Sequence, residues 1–197
     1  MSDYLKEFLN LKCAGDVLNV VSPLGRKPAK EITETMAVIT RIRATIFENP
    51  NSYLLYDLCA GNALTSILAA HLLPVFASTA IDKRIRNRKW HNAKNFTYIF
   101  NDIHNVFDIS SVHVNDILVS IHPCENARKI VDIWNNGAAK LLVLIPCCNG
   151  KINDEYKNPD KYKAWCQQMF DSIDGEKTII EDRGILSPKN IVIVANR

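Results

Sequence analysis

Tyr53-Leu54-Leu55-Tyr56-Asp57-Leu58-Cys59-Ala60-Gly61-Asn62-Ala63-Leu64 is the stretch whose reading decides the fold. A short apolar run reaches an acid, passes through a turn of small residues and enters a leucine- and alanine-rich segment. Small residues let a backbone come close to a ligand, and the start of a helix offers N–H groups with no partner of their own. The pattern therefore predicts a strand over 54–58, a ligand-cradling turn and a helix over 63–73. A second apolar run, 75–81, ends at Asp82, where an acid at a strand tip would grip a ribose diol. A weaker run, 96–100, leads into Asn101-Asp102, whose polar groups would read an adenine amino group.

Further runs lie at 117–121, 141–145 and 191–195. All are continuous rather than alternating, as expected for strands buried on both faces. Helical patterns fall between them, at 63–73 and at 125–136 before Gly137. Alternating strands and helices predict a mostly parallel sheet covered on both sides. Two amphipathic segments stand outside that rhythm. Residues 29–47 carry Ile32, Met36, Ile39, Ile42 and Ile46 at helical spacing behind Pro28. Residues 159–170 align Tyr162, Trp165, Cys166, Met169 and Phe170 on one stripe. Both are expected to pack on the core. The polar stretch 149–158 reads as a loop. Residues 1–50 are expected to form a helical extension packed on a domain spanning 51–197.

The chain of 197 residues has 47% apolar and 23% charged residues, an ordinary globular balance. No apolar run approaches the roughly 20 residues that cross a bilayer. The first ten residues carry Asp3 and Glu7 and no basic head, so neither a secretory leader nor a membrane association is expected. Six cysteines lie mostly in or beside apolar runs, which fits reduced thiols in a cytoplasmic protein. A net charge of +3 permits a nucleic-acid partner without requiring one. The dinucleotide fingerprint needs its third small residue where Leu64 stands, and no Walker A sequence occurs.

The order acid, x, small, small, Gly, x, small, followed by the acid Asp82, resembles motifs I and II of the class I methyltransferases. Ser120-Ile121-His122-Pro123-Cys124, Leu144-Ile145-Pro146-Cys147-Cys148 and Lys27-Pro28-Ala29-Lys30-Glu31 narrow the likeness. Together they are similar to a methyltransferase-domain family that includes the human glutathione-S-transferase C-terminal-domain-containing protein. The resemblance runs over roughly 27–197. It implies a Rossmann-like α/β fold with a seven-stranded sheet, ending in an antiparallel hairpin of 178–181 and 191–195. It also implies S-adenosylmethionine (SAM) as cofactor. Members often have three glycines in motif I, where this chain has Gly61 flanked by the small Cys59 and Ala63. Members often have His where this chain has Lys30.

On this reading Asp57, Cys59, Ala60, Gly61 and Asn62 would hold the methionine end of the cofactor. Asp82 and Lys83 would hold the ribose side, and Asn101 and Asp102 the adenine. His122, Cys124, Cys147 and Cys148 would converge at the ends of two neighbouring strands, facing the methyl acceptor. Four roles stay open for them: shaping the pocket, nucleophilic attack by a thiolate, zinc binding, and inert burial. Adjacent Cys147 and Cys148 fit one tetrahedral metal poorly, so no metal is expected. The basic cluster 83–91 reads as a solvated helix face, with RNA contact as the alternative. The expected activity is methyl transfer to an unidentified acceptor, RNA favoured through kinship with RNA-modifying enzymes. A small-molecule acceptor and a non-catalytic SAM-binding or interaction module are the alternatives.

Overall fold

The computed structural model describes residues 2–106, 112–147 and 159–197. Three helices come first: α1 (Asp3–Asn10), α2 (Ala14–Val21) and α3 (Pro28–Glu48). The remainder alternates: β1 (Leu54–Leu58), α4 (Leu64–Leu72), β2 (Ala77–Asp82), β3 (Phe96–Phe100), α5 (Ile103–Val106), β4 (Asp116–Ile121), α6 (Ala127–Asn136), β5 (Leu141–Ile145), α7 (Pro159–Asp171), β6 (Glu176–Glu181) and β7 (Ile191–Asn196). The expected loop 149–158 and Cys148 lie outside the described residues.

The strands form one seven-stranded sheet in the order β3-β2-β1-β4-β5-β7-β6. β1 to β5 pair in parallel, and β7 runs antiparallel to both β5 and β6. The chain order reverses beside β1, where β2 and β4 flank it. Ligands of open α/β sheets bind beyond the carboxyl ends of strands at such a switch point.

Strand β5 shows why the runs are continuous. Leu141, Val143 and Ile145 join the apolar cluster on the side of α1 to α4, while Leu142 and Leu144 join the one holding Trp134, Trp165 and Met169. Both faces are dry, so no position in the strand is left for a polar residue. The stripe of α3 is buried as expected, as are Tyr162, Trp165, Cys166 and Met169 of α7, with Phe170 half-buried at its end; Pro28 is the first residue of α3. The apolar cluster on the first side is continuous from Phe8 of α1 through Ile42 of α3 to Val143.

Helix α6 is shorter than its pattern suggests, because Cys124–Asn126 forms a 3₁₀ turn ahead of it. It stops at Gly137, whose N–H bonds the Ile133 carbonyl at 2.9 Å. A Cβ at Gly137 would stand 2.7 Å from that carbonyl oxygen and 2.9 Å from Val112 Cβ. Gly137→Ala is therefore expected to destabilise the fold by about 1–3 kcal/mol, the usual cost of overpacking. A urea denaturation curve measures it, and an unchanged midpoint would refute the clash.

The basic segment departs from its sequence reading. Residues 83–89 form no helix and run irregularly from the tip of β2 to a 3₁₀ turn at Trp90–Asn92. Trp90 stacks on Tyr98 of β3 with centroids 4.7 Å apart, and the Tyr98 hydroxyl donates to the Arg84 carbonyl. These contacts fold the segment back across the sheet end.

Candidate active site

The turn after β1 keeps a glycine-like backbone although glycine occupies one position only. Cys59, Gly61 and Ala63 have φ of 64°, 57° and 59°, all left-handed. A left-handed non-glycine residue costs roughly 1–2 kcal/mol, so Cys59 and Ala63 are held there by their surroundings. Ala60 N–H donates to the Ile81 carbonyl, and Gly61 N–H donates to Asp82 Oδ2 at 2.8 Å. Asn62 Nδ2 donates to Glu31 Oε1 at 2.7 Å, and its Oδ1 accepts from Arg88 at 2.9 Å. Motif I is thus clamped by β2, α3 and the basic segment together.

Asp57 serves this turn from within. Ala63, the residue before α4, has no side chain able to cap the helix. The Asp57 carboxylate does so instead, accepting from Ser66 N–H and Ser66 Oγ–H. It is 2% exposed. Burial raises its carboxyl to about 7, and the bonds from Ser66 only partly oppose that. The folded protein therefore holds this proton more tightly than the unfolded chain, whose aspartates titrate near ~3.9. Rising pH across that interval favours unfolding. Asp57→Asn removes the titration. It is expected to flatten the fall in stability between about pH 4 and about pH 7, as measured by urea midpoints at several pH values. Equal pH slopes in both proteins would refute it.

Asp82 is 3% exposed and lies across the turn. Its carboxylate accepts from Gly61 N–H, Arg84 N–H, Arg84 Nε (2.9 Å) and Arg84 Nη2 (3.0 Å). Burial alone would raise its carboxyl, but these donors outweigh it and hold it below the ordinary value. Arg84 thus covers the acid expected to grip a ribose.

Arg84 also separates two clefts. One, of about 200 Å³, is lined by Cys59, Asp82, Lys83, Asp102 and Ile103 among others. The other, of about 320 Å³, is lined by Lys30, Glu34, Asp57, Gly61, Asn62 and Arg86 among others. Cys59, Arg84, His122 and Cys124 line both. The expected residues Asp57, Cys59, Ala60, Gly61, Asn62, Asp82, Lys83, Asp102, His122 and Cys124 are therefore brought together. Lys83 is tied to Glu125 at 2.6 Å. Asn101 is outside both linings, and its Oδ1 accepts from Asp102 N–H instead. Burial pushes the Cys59 thiol up to about 11 despite the bond from Asn126 Nδ2, so it stays protonated at neutral pH.

At the end of β4, His122 has φ of 55° and its N–H extends the pairing to the Ile145 carbonyl. Its Nε2 lies 2.6 Å from Glu34 Oε1 of α3. Glu34 is 2% exposed and also meets Lys30 Nζ at 3.4 Å. A carboxylate can only accept, so it selects the imidazole tautomer protonated at Nε2. Nδ1 is then bare, buried and without a hydrogen-bond partner among the described residues. Glu34 was missed by the sequence reading. Its signal was polar residues at 31, 34 and 35 on a helix otherwise striped with isoleucine. Cys124 Sγ stands 3.3 Å from Cys147 Sγ. Among the described residues no group of three or more His, Cys, Asp or Glu side chains is arranged to hold a metal ion. No described helix is long and apolar enough to cross a membrane.

A parallel sheet reversed at β1, an acid-tipped second strand and a small-residue turn define a Rossmann-like, class I methyltransferase fold. The chain belongs to the methyltransferase domain family, whose pattern matches residues 27–155. It is accordingly a SAM-dependent methyltransferase. Among solved structures it is similar to the plantazolicin methyltransferase BpumL, with a TM-score of 0.55, 11% identity, and 98% of this chain and 94% of that one covered. It is also similar to a precorrin-6y C5,15-methyltransferase of Geobacter metallireducens, at TM-score 0.53, 13% identity and coverage of 81% and 88%. A third is the putative RNA methyltransferase PH1948 of Pyrococcus horikoshii, at TM-score 0.51, 14% identity and coverage of 93% and 96%. At these identities the likeness is one of fold. No curated protein matches the chain.

The donor set fits the cofactor. A Cβ at Gly61 would meet only Arg84 Nη2, at 3.6 Å. The space over the turn is therefore closed by a movable side chain and not by backbone.

Proposed function

We propose that the chain transfers a methyl group from SAM to a nucleophile on RNA, with His122 as the base that removes the acceptor's proton. The carrying observation is the Glu34–His122 pair, in which His122 lines both clefts and Glu34 lines the larger. The backbone of Cys59, Ala60 and Gly61 would hold the methionine end, Asp82 the ribose, and Asp102 the adenine side. When bound, the cofactor supplies an electrophilic methyl group on a sulfonium. The protein's part is alignment for in-line displacement and proton removal by His122, whose buried Nδ1 has to be uncovered as the acceptor binds. Glu34 holds the ring and stabilises the imidazolium. Lys30, Arg84 and Arg86 line the larger cleft together with Glu31, Glu34 and Asp57, and the three cations are the groups that would meet an anionic acceptor such as RNA. A small-molecule acceptor is the second reading, favoured by the cleft's volume of about 320 Å³.

Calorimetric titration with SAM and S-adenosylhomocysteine tests the cofactor site, with micromolar binding expected. Transfer of labelled methyl from SAM into RNA, compared with a small-metabolite fraction, then tests the acceptor. Label confined to small metabolites would overturn the RNA assignment.

A further inference from the structure

We propose that Cys124 and Cys147 are a thiol–disulfide exchange site, taking a small-molecule disulfide such as oxidised glutathione and closing into a reversible bridge beside the acceptor wall. The two sulfurs are 3.3 Å apart across the ends of the paired strands β4 and β5. A disulfide needs about 2.05 Å, so little more than an ångström of approach is required. Each cysteine follows a proline, and Cys124 is held at φ of 54° as the first residue of the 3₁₀ turn. The pair is thus positioned by the strand ends rather than by chance contact of mobile side chains. Cys124 is exposed, so an oxidant of glutathione's size reaches it.

The exchange balances in two steps. The Cys124 thiolate attacks one sulfur of glutathione disulfide, forming a mixed disulfide and expelling one glutathione thiolate. The Cys147 thiolate then attacks the Cys124 sulfur and expels the second. Two protein thiols are oxidised, one glutathione disulfide is reduced to two glutathiones, and both cysteine protons end on the released thiolates. Cys124 lines both clefts and lies two residues from His122. The bridge therefore changes the wall where the acceptor's proton is removed. Only this consequence rests on the proposed function; bridge formation does not.

The test equilibrates the full chain with reduced and oxidised glutathione, alkylates the remaining thiols and maps the peptides. A Cys124–Cys147 link is expected, reversed by dithiothreitol. In Cys147→Ser the link is absent and glutathione remains on Cys124. Full alkylation of both cysteines at high oxidised glutathione would overturn the proposal. So would a link from either cysteine to Cys59 or Cys148 in its place. SAM titration of the reduced protein tests the cofactor site separately, so failure of one reading is distinguishable from failure of the other.

Discussion

Asp82→Ala is expected to weaken SAM binding by about 10- to 100-fold, while Arg84→Ala shifts affinity the opposite way. A carboxylate accepting two ribose hydroxyls makes charge-assisted bonds, each contributing about 1.5–3 kcal/mol, with a factor of ten for every ~1.4 kcal/mol. The gross contribution is larger than the expected loss because the acid is not idle without cofactor. Arg84 already donates two side-chain bonds to it, and a ribose must displace them. What binding gains is the difference between hydroxyl donors and the guanidinium. Removing Arg84 removes the competitor but leaves the Gly61 amide on Asp82. Asp82→Ala also frees that amide, so the turn loosens as the ribose contact is lost. Titration calorimetry on both variants, with stability matched by urea denaturation, reads the two signs. Equal affinity of Asp82→Ala and wild type would remove Asp82 from the cofactor site.

The same competition explains how the clefts are arranged. Arg84 lies between them and lines each. Once drawn off Asp82, it would stand with Arg86 and Lys30 around the larger cleft. Cofactor binding would then free a cation already on the lining of the larger cleft, where the proposed RNA acceptor would bind. This follows from the segment's irregular path. A helix beginning at Lys83 would have carried the basic residues away along one face.

The sheet was legible because its cause is local. Strands 54–58, 96–100 and 141–145 begin and end where their apolar runs do; burial of both faces is the reason in 141–145, whereas 96–100 is an edge strand with no fully buried residue. The clamp around motif I was less legible. Glu31 on Asn62 and Glu34 on His122 join residues 31 and 88 positions apart, and no periodicity reports a bond between helix and strand end. Asp57 was identified as an acid of the site but given the cofactor to hold. Its carboxylate is taken by Ser66, because Ala63 leaves the start of α4 without a capping side chain. The basic segment failed for a different reason. Charge pattern suggested a helix face, whereas Trp90 stacking on Tyr98 and Arg84 folding onto Asp82 fix an irregular path.

His122→Ala is expected to lower methyl transfer by about 10²- to 10⁴-fold, the range of a lost general base, with SAM affinity changed little. The argument rests on which nitrogen carries the proton. Glu34 accepts from Nε2, so the lone pair is at Nδ1, a buried atom of a residue that lines both clefts, and the acceptor has to uncover it on binding. Glu34→Gln puts an amide there that can donate as well as accept. The imidazole is then free to take its proton at Nδ1, where it no longer removes one from the acceptor. The rate should fall by about 10-fold or more for this variant, although no group touching the acceptor has been altered. Glu34→Asp, which keeps an acceptor-only group, should recover part of it. The imidazole nitrogen shifts of ¹⁵N-histidine-labelled protein report the tautomer directly: Nε2–H in wild type and a mixture in Glu34→Gln. If both variants keep wild-type initial rates of labelled-methyl transfer, or if wild type carries its proton at Nδ1, His122 is not the base. The pair would then be a buried anchor between α3 and β4.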